Sequence, residues 1–315
     1  VARQFEPSED VGERQFADVQ AAFPLHMREE LEIHVNQTGF PVGVNSNYPA
    51  RLREMVSAAT ITFFLQNNSI DHVRKTYLKD VKYEEDPGGN ARFDRKFRHL
   101  CLSDLSAAIE LLKAYPALLD RPARVGEWIA DLTLVRSAYS LERAFAEADK
   151  GALFEAVAIG RMMLEQISWS LAVRAMDDVA EIKGTKVTKA ITQSSRSVPS
   201  IGRLYGWMSD HVHWEYSAHL KAITSRDDQA AALFASSEFK AIAYSMLIAL
   251  TQIAVDVVDM TLEQYQELHS FAKFQKWKGR GRELDPQQMI AEILQLLGES
   301  ADVEAILDII TARSQ

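Results

Sequence analysis

The chain has 315 residues, 47% of them hydrophobic, with 44 acidic against 35 basic side chains and a formal charge of −9. That apolar content supplies a packed core and excludes a disordered chain, while the acidic balance excludes a general polyanion coat, so a nucleic-acid partner would have to be met at a local basic site. The single cysteine, Cys101 in RHLCLSDL, excludes an intrachain disulfide and a cysteine-rich zinc site; it reads as a small buried hydrophobe, and a reducing cytoplasm is the expected compartment.

The opening VARQFEPSED lacks the apolar centre of a signal peptide. Residues 1–49 are the least regular, ending in Pro, Gly and Asn signals that suggest a short helix and an irregular arm. Helical spacing resumes near Ala50 and predicts a helix over about 50–80, and the Asp-Pro-Gly-Gly-Asn string in EEDPGGNARFD predicts a loop. Further helices are expected over about 95–115, 123–148, 151–183, 199–225 and 228–272, punctuated by Pro116, Pro122, Gly151, Gly184 and Pro199. Nothing alternates as a strand. The polar segment KGTKVTKAITQSSRSVPS (183–200) reads as a long loop of the kind that is often functional.

The most apolar stretch, Ala241 to Val258, is interrupted by Ser245, Thr251, Gln252 and Asp256 and reads as a buried central helix, with no membrane partner expected. Next comes KFQKWKGRGRELDP, then two short helical patterns. Lys273, Lys276, Lys278, Arg280 and Arg282, interleaved with Phe274 and Trp277, form a candidate nucleic-acid contact, against the commoner reading of a solvated linker. The expected fold is all-α: an N-terminal arm and helix (1–94), a core multi-helix bundle (95–272), a basic linker (273–283) and a small C-terminal helical hairpin (284–315).

Two helices carry the chemistry. In GALFEAVAIGRMMLEQISWSLAVRAM, Phe154, Val157, Ala158, Ala172 and Met176 form one stripe with Arg161 and Glu165 in its middle, and Ile159, Met163 and Ile167 make the opposite face apolar too. A helix apolar nearly all round is buried, so Arg161 and Glu165 require polar partners. In GRLYGWMSDHVHWEYSAHL, Tyr205, Ser209 and His213 stand at i, i+4 and i+8 along one margin of an apolar face formed by Tyr205, Met208, Val212, Tyr216, Leu220 and Ile223, and could supply those partners. The alternative is a structural polar seam that only fixes packing register. His211, Glu215 and His219 form a second i, i+4, i+8 set on the other margin. Spanning about 12 Å of helix axis, it could offer at most two ligands to one metal.

Arg161-x-x-x-Glu165 paired with Tyr205-x-x-x-Ser209-x-x-x-His213 resembles a family of bacterial helical proteins distantly similar to HEPN domains, over roughly residues 95–265. The resemblance implies a helical bundle, often a homo-oligomer, acting as a metal-independent ribonuclease of a defence or toxin system, without a cofactor. Arg161 and His213 would take the catalytic roles, with Glu165, Tyr205 and Ser209 orienting them. The Arg–His pair with four to six residues between its members on one helix, usual in such nucleases, is absent from the expected helix, and the matches elsewhere, Arg28/His34 and Arg92/His99, are about as frequent as chance supplies. There is no Gly-rich phosphate loop, nucleophile elbow or dinucleotide fingerprint. A non-catalytic interaction module, binding a protein partner through the C-terminal hairpin, is the second reading, and a metal-dependent hydrolase the third.

Overall fold

The computed structural model describes residues 32–35, 38–41, 49–64, 66, 69–79, 90–114, 124–213, 216–226, 229–232, 236–264 and 285–311. The basic segment 273–282, Trp214 and Glu215 lie outside the described residues. The protein is an all-α multi-helix fold, with twelve helices and two small antiparallel ribbons among the described residues. The chain divides into two compact units, residues 1–95 with 233–237, and residues 96–232 with 238–315.

In the first unit β1 (Glu32–Val35) pairs with β2 (Thr38–Pro41), opposing Ile33 to Phe40. No strand was expected there, because each strand is only four residues long and too short for an alternation to register. Helix α1 (Ala50–Phe64) packs against α2 (Ile70–Thr76), so the expected single helix over 50–80 is two. Ser69 caps α2 by accepting from the His72 N–H, and Arg74 ties the pair through a bidentate contact with Glu54 at 3.0 and 3.1 Å.

The second unit is built on a helical hairpin. Helix α4 (Val125–Lys150) turns through Gly151, whose φ of +82° is the left-handed cap that glycine adopts without Cβ strain, into α5 (Leu153–Val173). Helix α3 (Asn90–Ala114), from its residue 96 onward, joins α4 through Arg98–Asp149 and Lys113–Glu142 ion pairs. Helix α10 (Ser237–Gln264) lies against the same hairpin from Glu238 on. Tyr244 stacks on Phe145 and donates to Asp149 at 2.9 Å, and Leu250 and Met246 come within about 3 Å of where a side chain on Gly160 would stand. Glu238–Thr261 is long and apolar enough to cross a membrane, but 94% of that window is buried in the protein, as a core helix would be.

Helix α5 ends at Val173, not near 183. Arg174 caps it, and Asp178 starts the short α6 (Val179–Gly184) by accepting from the Ala180 N–H. The segment read as a long loop is largely helical: α7 (Val187–Ser197) buries Ala190, Ile191 and Ser194 against α5 and α8. Its three buried positions include one serine, whose hydroxyl donates to the Ser168 carbonyl at 3.2 Å, so the apolar signal was too thin to read. Pro199 occupies the first turn of α8 (Pro199–Val212), where its missing N–H costs nothing.

The helix expected over 199–225 breaks after Val212. His213 is its C-cap, a short α9 (Tyr216–Lys221) follows, and a second ribbon forms from β3 (Ile223–Arg226) and β4 (Gln229–Ala232). The C-terminal hairpin is as expected, with α11 (Pro286–Leu297) started by Asp285 and turned at Gly298 into α12 (Ala301–Thr311), which packs on α8.

Candidate functional site

Helices α5 and α8 lie side by side, and α8 buries Ile201, Leu204, Met208 and His211. That face is rotated from the one expected through Tyr216, Leu220 and Ile223, which are exposed. The break at His213 removes the last two turns from the register on which the expected face depended. The rotation places Tyr205 and Ser209 at a half-buried margin and His213 in solvent. Helix α5 is also less enclosed than its composition suggested. Gly160, Met163, Leu164 and Ile167 are buried, while Ala158 and Met162 are exposed and Arg161 and Glu165 sit half-buried between the two faces.

The margin joins Arg161, Glu165, Tyr205 and His213 into one polar chain. Arg161 Nη2 donates to the Tyr205 hydroxyl at 2.7 Å, and that hydroxyl donates to Glu165 Oε1 at 3.3 Å. The guanidinium carbon lies 4.7 Å from the Tyr205 ring centroid, within reach of the ring's negative face. Glu165 Oε1 is also 3.3 Å from Arg161 Nε, an ion pair without hydrogen-bond alignment. Arg161 Nη1 is 3.0 Å from His213 Nε2. A guanidinium only donates, so Nε2 is the acceptor and the neutral ring carries its proton on Nδ1.

Ser209 is not part of this chain as expected. Its hydroxyl donates to the Tyr205 carbonyl one turn back, at 2.7 Å, the usual way a mid-helix serine satisfies itself. The chain thus runs from a carboxylate through a fixed guanidinium to an imidazole in water. A cation clamped on three sides beside a solvent-facing acid–base group can hold an anion and move a proton next to it.

His211 and His219, expected with Glu215 on one margin of a continuous helix, stand on different helices, with His219 exposed. His211 is 4% exposed. Its Nδ1 donates to the Trp207 carbonyl at 2.9 Å, and its Nε2 lies 3.3 Å from Lys221 Nζ and 3.5 Å from Asp302 Oδ1. Among the described residues no three His, Cys, Asp or Glu side chains are grouped to hold a metal ion.

Asp302, at the start of α12, is the residue that sequence reasoning missed. It accepts from Lys221 Nζ at 2.8 and 2.6 Å and from Trp207 Nε1 at 3.2 Å. Burial alone would push its carboxyl up, but hydrogen bonds from His211 and Lys221, together with their charges, prevail and hold it at about 2. Only an acidic residue in the first turn of a helix marks it in the sequence.

Comparison with protein-family models, with curated proteins and with solved structures returns no match in any of the three.

Proposed function

We propose that this protein is a HEPN-like, metal-independent ribonuclease of bacterial defence or toxin type, with Arg161 and His213 as its catalytic pair. The observation that supports this reading is that the half-buried chain of Glu165, Tyr205 and Arg161 opens to solvent at an imidazole, where a seam serving only to fix packing would close on itself.

In the reaction, a phosphate displaces His213 Nε2 from Arg161 Nη1 and takes its place on the guanidinium. The freed imidazole accepts the proton of the ribose 2′-hydroxyl as its oxygen bonds to phosphorus, and the bond to the 5′-oxygen breaks. The leaving oxygen takes up a proton from the imidazolium or from water, giving a 2′,3′-cyclic phosphate and a 5′-hydroxyl end. Arg161 carries the charge that builds on the phosphorane oxygens. Glu165 and Tyr205 hold the guanidinium in place, so little reorganisation accompanies the step.

The test is cleavage of a labelled single-stranded RNA by the 315-residue chain in EDTA. Products ending in cyclic phosphate, their loss in His213→Ala and in Arg161→Ala with the circular dichroism of the parent retained, and inertness of a 2′-deoxy substrate are expected. RNA left intact at high enzyme concentration overturns the proposal.

One observation favours the second reading, a non-catalytic interaction module: every nitrogen of Arg161 already faces a protein group. On that reading Arg161→Ala lowers stability by about 1–3 kcal/mol, as for a broken charged hydrogen-bond network, and no RNA is cut by either protein.

A further inference from the structure

Trp207, His211, Lys221 and Asp302 meet on the flank of α8 away from Arg161, and they do more than attach the C-terminal hairpin. His211 is two residues before His213, and Lys221 is eight residues after it. Both converge on one carboxylate, Asp302 on α12, which Trp207 in the middle of α8 also reaches. The two residues that flank His213 in the chain are therefore tied to the same side chain of the hairpin. His213 itself has one side-chain anchor among the described contacts, Arg161 Nη1. An exposed ring with a single anchor takes its direction from its backbone, which the end of α8 holds through the His213 N–H to the Ser209 carbonyl at 2.9 Å, and that end of α8 is tied to Asp302 through Trp207 and His211.

We infer that Asp302 is a positioning residue for His213: by holding His211 and Lys221 together, the C-terminal hairpin fixes the segment that presents the imidazole to Arg161. The inference rests on the ribonuclease reading for its consequence in catalysis, but not for the coupling itself. The groups facing the cluster are Trp207 and His211 from α8, Lys221 from α9, Asp302 from α12 and the Phe154 ring of α5, 6.4 Å from His211. Asparagine at 302 keeps the shape and one acceptor oxygen while removing the charge that draws Lys221 in. Methionine at 221 removes the same tie from the other side.

The experiment follows the His213 ring directly, by proton–carbon NMR of the chain labelled at histidine Cε1, with the signal assigned by its disappearance in His213→Asn. In Asp302→Asn and in Lys221→Met, the His213 signal is expected to move from its position in the parent. In the exposed control Asp308→Asn it stays in place. With RNA as substrate, the two latch variants lose kcat by about tenfold or more, the order expected when an acid–base group is misdirected, with KM little changed, and Asp302→Glu recovers part of the loss. An unmoved His213 signal in both latch variants, in samples whose circular dichroism matches the parent, overturns the inference. If the parent cuts no RNA, the ribonuclease reading falls while the NMR arm still decides the coupling.

Discussion

Replacing Asp302 with asparagine yields a stability change that can be sized from the structure. The carboxyl sits at about 2 against an ordinary 3.8. At about 1.4 kcal/mol for each pH unit of displacement this corresponds to roughly 2 kcal/mol, reduced toward 1 because Lys221 is partly in solvent and its pairing is screened. The sign follows from the depressed value. The native state favours the charged carboxylate, so the contribution is fully present above the unfolded value near 4 and is lost as pH falls through about 2.

Urea unfolding followed by circular dichroism should therefore place Asp302→Asn about 1–2 kcal/mol below the parent. The gap should be constant between pH 8 and pH 5 and should narrow only on the acid side of 4. A gap below about 0.5 kcal/mol at pH 7, the level of an ordinary surface substitution, would refute this reasoning.

Three other outcomes are expected. Gly126→Ala places a Cβ 2.2 Å from the Val173 carbonyl oxygen and 2.4 Å from that of Met176, backbone atoms that cannot swing aside, so it should lose at least about 2 kcal/mol. Gly206→Ala meets nothing within 4 Å in mid-helix and should raise the melting temperature, with a gain of up to about 1 kcal/mol; equal shifts for the two would refute the contrast. Burial, with the Asp104 and Asp149 charges adding to it and Arg98 opposing, raises the Cys101 thiol well above its ordinary value. The native protein should accordingly resist a thiol reagent at pH 8 and react only once unfolded, and fast native labelling would contradict this. Arg161→Lys should cut RNA far more slowly than the parent, since a single ammonium lacks the planar fork that holds Tyr205 with one nitrogen while presenting another to the phosphate; near-parental cleavage would count against the forked contact.

Much of the candidate site's geometry was legible because it is periodic. Arg161 and Glu165 one turn apart on α5, and Tyr205 and His213 two turns apart on α8, lie where about 3.6 residues per turn puts them, and the two margins do meet. Ser209 fits the same spacing yet stays outside the chain, because a serine hydroxyl can bond its own helix and a spacing rule cannot see that alternative. His211 and His219 separate for a different reason. His211 and His219 share a margin only on an unbroken helix, and nothing in the composition of HVHWEYSAH announces a stop, since it contains no Gly or Pro.

By itself the sequence determined the all-α class, the turn at Gly151, the buried central helix and the C-terminal hairpin, because each rests on local signals: apolar period, caps, and residues that cannot continue a helix. Only the tertiary structure decided which side of each helix is covered. That choice depends on neighbours far along the chain, as where Gly160 lets α10 close in while Arg161, one position on, is left at the margin. The same holds for Asp302. Its partners Lys221 and Trp207 are 81 and 95 residues away, and a contact at that separation exists only once the helices between have packed.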